Sequence, residues 1–301
     1  MRLRAGTIAL IAVAMHLSQG VMRPAWGQAV AEPAKPVAPV CDRQKFRVVV
    51  DVGHTAGVPG AKSARGLDEY DFNLRLAKDI REKLVATGFE RTVLLITAEA
   101  PRAGLFKRAE RANAMSADLF LAVHHDSVPD HFMQKWQYEG EEHDYSDRFP
   151  GHSIFISSAN PNYARSLQFG KLLGDELKAR GLKYTHHYTE KFMGNRQRIL
   201  VDAEAGVYRY DQLVVLMKTH MPAVLLEAGS IVNRDEELAL GTPERRSLIS
   251  AAVAGAVESF CGAPAHRNPD LPIHSAHAPK VSGHVARPSV TAPSQSGAAR
   301  Q

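Results

Sequence analysis

The sequence predicts a single α/β domain with a mostly parallel, twisted sheet that is covered by helices on both faces. Short apolar runs alternate with segments of helical periodicity through the middle of the chain, and this alternation is typical of a parallel sheet. The runs are rich in valine, leucine and isoleucine, as expected for strands buried on both faces. Candidate site residues follow the ends of three runs, and sheets of this class hold their sites beyond the carboxyl ends of the strands.

The elements follow in the order that such a sheet requires. Residues 45–50 are predicted as the first strand. The helix predicted over 69–87 has apolar residues at helical spacing, including Phe72, Leu76 and Ile80, and Gly88 follows as a stop signal. The remaining strands are predicted at 92–97, 119–123, 153–157, 213–217 and 223–226, and the remaining helices at 105–115, 164–180 and 243–260.

Two long segments do not fit the alternation. Residues 129–151 are polar, aromatic and acid-rich, and residues 183–210 contain His186, His187 and Arg196. Loops of this length in a compact domain are usually functional or disordered. We interpret both segments as loops that border the site.

The N-terminus carries the signals of export. Arg2 and Arg4 precede an apolar run over 8–15, and Ala29-Val-Ala31 offers a small-residue cleavage site. Residues 1–31 are therefore predicted to be a secretory signal peptide. The run is too short to anchor the chain in a bilayer, so we expect an exported protein, periplasmic or secreted, that is not an integral membrane protein after processing.

The domain itself is predicted to span residues 44–261. A proline-rich linker over 32–43 precedes it, and a disordered basic tail over 262–301 follows it. The formal net charge is +5, but the leader and the tail together hold seven basic residues and one acidic residue. The domain is therefore close to neutral, and no basic face argues for a nucleic-acid partner.

The two cysteines bracket the domain. Cys41 lies just before the first strand, and Cys261 lies at the end of the last helix. Since helices run antiparallel to the strands in an α/β sheet, both residues should lie at the same end of the layer. Export to an oxidising compartment permits a bridge, so a Cys41–Cys261 disulfide is predicted, with two unrelated thiols as the alternative.

A possible metal set follows the strand ends. His54 comes after the first strand, Glu69 opens the first helix, and His124 and His125 come after the strand over 119–123. Two histidines and one glutamate form a set that holds catalytic zinc and leaves one position for water. From the residues alone, Asp68 and Asp71 compete with Glu69, and His125 competes with His124.

Glu227 is the candidate acid–base residue. It follows the apolar run over 222–226, where an unpaired carboxylate would be costly to bury. A neighbouring zinc would compensate this cost and give Glu227 a role as proton shuttle. An ion pair with Arg234 is the structural alternative.

These motifs resemble the zinc-dependent N-acetylmuramoyl-L-alanine amidases over about residues 44–261. In that family a strand ends in Asp-Pro-Gly-His and a helix opens with Glu-x-Asp-x-x-Leu, and this chain has Asp51-Val-Gly-His54 and Glu69-Tyr-Asp71-Phe-Asn-Leu74. The family's Ser-Ile-His-Ala-Asn/Asp aligns with Ala122-Val-His-His-Asp126. The segments 129–151 and 183–210 are where the chain departs most from the family.

The resemblance implies zinc held by His54, Glu69 and His124, with Glu227 as the catalytic residue. It also implies supporting or substrate-binding roles for Asp71, Arg108 and Asp126. The expected reaction is hydrolysis of the amide bond between N-acetylmuramic acid and L-alanine, with peptidoglycan as the partner.

Two other functions remain compatible with these residues. One is a different zinc peptidase or amidase that acts on the stem peptides of the cell wall, and the other is a non-catalytic module that binds the wall. In the cell-division members of the family an inserted helix blocks the zinc. No long helical insert lies between Ser157 and Tyr163 here, so any blocking element must come from one of the two polar segments.

Overall fold

The computed structural model describes residues 41–98 and 101–263, apart from the side chains of residues 101 and 102. The predicted signal peptide, residues 32–40 of the predicted linker and residues 264–301 of the predicted tail lie outside the described residues. The described residues all belong to one compact unit.

Nine strands and six helices make up the described part of the chain. The strands are β1 (Val48–Val52), β2 (Val93–Leu95), β3 (Leu119–Asp126), β4 (Gln134–Tyr138), β5 (Glu141–Tyr145), β6 (Ser153–Ile156), β7 (Ile199–Asp202), β8 (Val207–Arg209) and β9 (Ala223–Ser230). The helices are α1 (Glu69–Ala86), α2 (Pro101–Ala114), α3 (Tyr163–Ala179), α4 (Val214–Lys218), α5 (Arg234–Gly241) and α6 (Pro243–Gly262).

Seven of the strands form one sheet in the order β2-β1-β3-β9-β6-β8-β7. β2, β1, β3 and β9 are mutually parallel, and β6 is parallel to β8. The β6–β9 and β7–β8 pairs are antiparallel. The prediction of a mostly parallel α/β sheet is confirmed, and β1, β3 and β9 place their carboxyl ends side by side at its centre.

Helices cover both faces, as predicted. Val48, Val50 and Val52 of β1 contribute to a core that includes α1, α3 and α6, whereas Val49 contributes to a second core with α2 and α4. Since successive side chains of a strand point to opposite faces, the same alternation decides which face each site residue occupies.

The prediction of a strand over 213–217 is wrong. Residues Val214–Lys218 form the short helix α4. The side-chain amide of Asn160 donates to the carbonyl oxygens of Leu216 and Thr219, at 2.7 and 3.1 Å, and so satisfies groups that a helix end leaves free. A short apolar run cannot distinguish a buried strand from a helix turn, and the residue that decides between them lies far away in sequence.

The interpretation of 129–151 and 183–210 as loops is also wrong in part. The first segment forms the two-stranded β4–β5 sheet, and the second contributes β7 and β8 to the edge of the main sheet. Alternating polar and aromatic residues, as in Gln134–Tyr138, give a strand that lacks the apolar run by which the buried strands are recognised.

Two further features concern the chain as a whole. Among the described residues, no helix has the length and apolar character needed to cross a membrane. Cys41 and Cys261 form a disulfide, with their Cα atoms 5.0 Å apart. It links the residues before β1 to the end of α6. Both lie at the amino ends of the parallel strands, opposite the site residues.

The disulfide should stabilise the domain by restricting the unfolded chain. Because the cross-link joins residues separated by 220 positions, the chain-entropy treatment predicts a contribution of at most about 5 kcal/mol. A Cys41→Ser/Cys261→Ser variant should therefore unfold at a lower urea concentration than the oxidised protein, and reduced wild-type protein should match the variant. Equal stability of oxidised and reduced protein would contradict the prediction.

Candidate metal centre and catalytic edge

The three predicted ligands lie together at the carboxyl ends of β1 and β3. We call this side of the sheet, formed by the carboxyl ends of β1, β3 and β9, the catalytic edge. Nε2 of His54 lies 3.0 Å from Oε2 of Glu69, and Nδ1 of His124 lies 3.1 Å from Oε1 of the same carboxylate. One potential ligand atom from each residue lies within 4.8 Å of those of the other two. This set of two imidazole nitrogens and one carboxylate oxygen fits a zinc ion.

Glu69 is the buried member of this group. It is 4% exposed, and its carboxylate also accepts hydrogen bonds from the backbone N–H of Ala61 at 3.2 Å and the side-chain amide of Asn73 at 3.1 Å. Burial alone would raise the pKa of Glu69, but the hydrogen bonds with His124 and His54 outweigh it and hold the pKa below its usual range. The carboxylate is therefore ionised and able to bind a cation.

The ligand side chains lie so close to the backbone of two neighbouring residues that only glycine fits there. A Cβ atom on Gly53 would lie 2.5 Å from the His124 ring, and one on Gly60 would overlap Glu69 and lie 2.7 Å from the His54 ring. The positive φ in the first motif belongs to His54, at 64°, rather than to Gly53. A non-glycine residue in this region is strained, so other contacts must hold His54.

Arg108 supplies those contacts from α2. Its guanidinium donates to the carbonyl oxygens of Val52 and His54, and to Oδ1 of the buried Asp51 at 2.7 Å. Burial raises the pKa of Asp51 to about 7, although the charge of Arg108 opposes this rise. Arg108 is thus paired with a buried carboxyl group and fixes the backbone of the first motif.

The two adjacent histidines of β3 face opposite sides of the sheet. His124 is paired in register with Glu227 of β9 and contacts Glu69. His125 is directed toward α1, where its Nδ1 lies 2.7 Å from Oδ1 of Asn73, and burial lowers its pKa to about 3. The geometry therefore brings His124, and not His125, into the cluster.

Two carboxylates lie beside the cluster on neighbouring strands. Glu227 is half-buried on β9, and its Oε2 is shielded from solvent without a hydrogen-bond partner among the described residues. Burial and the charges of Asp126 and Glu69 raise the pKa of Glu227 well above its usual range. Asp126, on β3, is buried and accepts hydrogen bonds from the Tyr188 hydroxyl. An unpartnered carboxylate next to three potential ligands is the feature that a bound cation would compensate.

A cleft opens beside the cluster on the α2 and α4 side of the sheet. It has a volume of about 470 Å³ and is lined by His54, His124 and mostly apolar side chains, among them Val58, Leu105 and Leu213. The His54 and His124 side chains are 32% and 19% exposed. Both imidazoles can therefore be reached from solvent. The connection between β6 and α3, where the sequence shows no long helical insert, is short and covers residues 157–162.

The structure leaves one predicted supporting residue away from the site and adds two. Asp71 is exposed in the first turn of α1. Asn73 is buried and bridges Glu69, His125 and the carbonyl oxygen of Gly53. Its position one helical turn after Glu69 could have identified it, because residues at this spacing share a helix face. Nothing in the local pattern around Tyr188 points to the site.

Comparisons with known proteins identify one family. Residues 48–259 match the model of a family described as N-acetylmuramoyl-L-alanine amidase. Over 235 residues the chain is 26% identical to the N-acetylmuramoyl-L-alanine amidase AmiA of Escherichia coli (strain K12), an alignment that covers 71% of this chain and 75% of that protein.

Solved structures share the fold at low sequence identity. The amidase Ami1 of Mycobacterium smegmatis has a TM-score of 0.56 and 20% identity, and the alignment covers 73% of this chain and 98% of that one. The apo form of Ami1 from Mycobacterium abscessus has a TM-score of 0.54 and 22% identity, with 72% and 98% covered. At these identities the likeness concerns the fold.

Replacing Arg108 should destabilise the domain in a pH-dependent way. Arg108→Met leaves the Asp51 carboxylate buried without its partner, which typically costs about 3–5 kcal/mol. The folded-state pKa of Asp51 is already above its unfolded value and should rise further in the variant. Below about pH 7 the carboxyl of Asp51 is protonated in both folded proteins, so the loss of unfolding free energy should stay nearly constant between pH 4 and 6 and grow as the pH rises from 7 to 9, where only the wild-type protein can release this proton.

Chemical denaturation across this pH range measures the effect. The exposed neighbour on the same helix gives a matched control, and Lys107→Met should change stability by less than about 0.5 kcal/mol. Adding Asp51→Asn to Arg108→Met should remove the pH dependence. A pH-independent loss in the single variant would contradict the assignment to Asp51.

Proposed function

This chain belongs to the N-acetylmuramoyl-L-alanine amidase family, and from that premise we propose that it is an exported, zinc-dependent enzyme that cleaves the amide bond between N-acetylmuramic acid and L-alanine in peptidoglycan. The observation that carries the proposal is the convergence of His54, Glu69 and His124 within 4.8 Å, with Glu227 on the adjacent strand. Two imidazoles and a carboxylate, beside a second carboxylate without a partner, suit metal-assisted hydrolysis better than any structural role.

His54, Glu69 and His124 would hold the metal. Zinc bound there would lower the pKa of a water molecule and polarise the scissile carbonyl group. The ionised state of Glu69 favours cation binding. Arg108 and Asn73 keep the first histidine and the carboxylate in place, which is the role that outer contacts usually have at metal sites.

Glu227 would move the proton. In hydrolysis the water oxygen adds to the carbonyl carbon, the C–N bond breaks, and the leaving nitrogen takes up a proton. The Glu227 carboxylate can accept the proton of the attacking water and then donate it to the departing amine of L-alanine. The apolar cleft beside His54 and His124 would receive the substrate and exclude bulk water from the reacting bond.

Export is supported by two independent features. The N-terminal sequence has the basic, apolar and small-residue regions of a signal peptide. The Cys41–Cys261 disulfide is of a kind that persists in oxidising compartments and is rare in the bacterial cytosol. Both agree with a substrate that lies outside the inner membrane.

Metal content provides the first test of this function. The purified mature protein should bind about one zinc ion per chain, and His54→Ala, Glu69→Ala and His124→Ala should each lower this occupancy strongly, because each removes a donor. Metal analysis after dialysis measures the occupancy. His125→Ala is the matched control, and we expect it to retain zinc. Loss of zinc in His125→Ala with retention in His124→Ala would overturn the assignment.

The role of Glu227 can be separated from metal binding. Glu227→Gln keeps the size of the side chain but removes its basicity, so it should retain zinc and folding while turnover falls by roughly 10²–10⁴, the usual range for a positioned acid–base group. Mass spectrometry of the products released from peptidoglycan measures turnover and identifies the bond that is cut.

Each other outcome has a defined meaning. Full activity in Glu227→Gln would mean that another residue transfers the proton. Loss of zinc together with activity would mean that Glu227 is a ligand. Products cut within the stem peptide, instead of intact stem peptides that begin with L-alanine, would indicate a different zinc peptidase.

A further inference from the structure

A hydroxyl group from the 183–210 segment reaches the catalytic edge of the sheet. Tyr188 lies in a short 3₁₀ turn (His187–Thr189), and it is 5% exposed. Its Oη lies 2.8 and 2.7 Å from the two carboxylate oxygens of Asp126, which share its single hydroxyl proton. Asp126 follows His124 by two residues on β3. A residue of the 183–210 segment therefore contacts the site directly.

We propose that Tyr188 is a positioning residue whose hydroxyl fixes the Asp126 carboxylate, so that the Asp126 side chain restricts where the carboxylate of Glu227 can lie. This inference rests on the proposed function, in which Glu227 moves the proton. Tyr188 itself would not touch the substrate, and its effect on the reaction would pass through Asp126.

The hydrogen bonds of Asp126 are well suited to fixing it. The backbone N–H of Ser127 also donates to Oδ1, at 2.8 Å, so both oxygens accept from defined directions. Burial raises the pKa of the Tyr188 hydroxyl well above its usual value, and the group therefore remains a donor at neutral pH. Hydrogen bonds to an ionised acceptor are shorter and stronger than neutral ones.

The Tyr188 side chain cannot easily move away from Asp126. Its ring packs edge-on against Phe155 of β6, with the ring centroids 5.1 Å apart. Its carbonyl oxygen accepts a hydrogen bond from the N–H of Arg198 at 2.7 Å, which ties the turn to the residues that lead into β7. The hydroxyl is thus held by the sheet on one side and by its own segment on the other.

Glu227, by contrast, depends on its neighbours for orientation. Its Oε2 has no hydrogen-bond partner within the described ranges, and β9 is paired directly with β3, which carries Asp126. Glu227 is paired in register with His124, and Asp126 comes two residues later on β3, where it contacts Tyr188 on the same face of the sheet. A fixed Asp126 side chain therefore limits the positions that the Glu227 side chain can take. A mobile Asp126 would leave several positions of Glu227 with similar energies.

A purely structural role for the Tyr188 hydroxyl makes different predictions. If the hydroxyl only satisfies a buried carboxylate, Tyr188→Phe should lower stability and leave turnover of the folded protein unchanged. If it positions Asp126, Tyr188→Phe should lower kcat roughly tenfold, the effect of losing one hydrogen bond to a charged group, and change KM by less than about twofold.

Tyr208→Phe is the matched control. Tyr208 is fully buried in the same apolar core as Tyr188. Its hydroxyl donates to the carbonyl oxygen of Thr185 at 2.5 Å rather than to a site residue. We expect Tyr208→Phe to retain kcat within about twofold, whatever its effect on stability. An equal fall of kcat in both variants would overturn the proposal.

A double-variant comparison tests whether Tyr188 acts through Asp126. Asp126→Asn should lower kcat, and adding Tyr188→Phe should lower it no further than about twofold, because the two changes remove the same interaction. Independent, multiplying effects would overturn the proposal. Zinc content is measured in every variant, so that lost metal is not taken for lost positioning.

A measurement on zinc-free protein needs no activity. The ¹³C signal of the Asp126 carboxyl carbon should shift in Tyr188→Phe and stay in place in Tyr208→Phe. An unchanged signal in Tyr188→Phe would overturn the proposal, as would a Tyr188→Phe protein that fails to fold while Tyr208→Phe folds. If wild-type protein released no stem peptides, the proposed function would fail, whereas the response of the Asp126 signal would still report the contact.

Discussion

The catalytic edge depends on groups that offset the energetic cost of burying one ionised carboxylate, that of Glu69. An ionised Glu69 can remain in a desolvated position only if hydrogen-bond donors or cations surround it, and His54, His124, Asn73 and the N–H of Ala61 meet that need. These groups come from the ends of β1 and β3, from α1 and from the segment between β1 and α1. Their convergence on one carboxylate determines the shape of the site. A bound metal ion would offset part of the same desolvation cost.

A second buried charge holds the first motif in a strained conformation. His54 adopts a positive φ, a region that costs a non-glycine residue about 1–3 kcal/mol. Arg108 binds the His54 carbonyl oxygen and is itself neutralised by Asp51. Asp51 and His54 belong to the same short motif, so its first residue holds the arginine that constrains its last. The motif is therefore one physical unit rather than a metal ligand with incidental neighbours.

The sequence predicted those parts of the protein whose signals are local. The mostly parallel sheet and the location of His54, His124 and Glu227 follow from apolar runs that end in polar residues, and the location of Glu69 follows from the start of a helical pattern. The choice between His124 and His125 needed the alternation of β3 in register with β9, and α4 needed the remote amide of Asn160. Local patterns cannot contain such contacts, because their partners are dozens of residues away.

The same reasoning explains why the two polar segments were the least predictable, although the second one reaches the site through Tyr188. Arg148 of the first segment lies within 5.9 Å of the rings of Phe132, Phe149 and Phe192, and Phe192 belongs to the second segment, so the two are packed against each other. Cation–π contacts of this kind stabilise by about 0.5–2 kcal/mol each. Because the imidazoles of the cluster stay open to solvent, the packed segments do not plug the site, and the cleft is lined instead by residues of β1, α2, β3 and α4 and their neighbours. A surface segment can orient a carboxylate only when it is itself held in place, and this mutual packing allows Tyr188 to have a fixed position beside the catalytic edge.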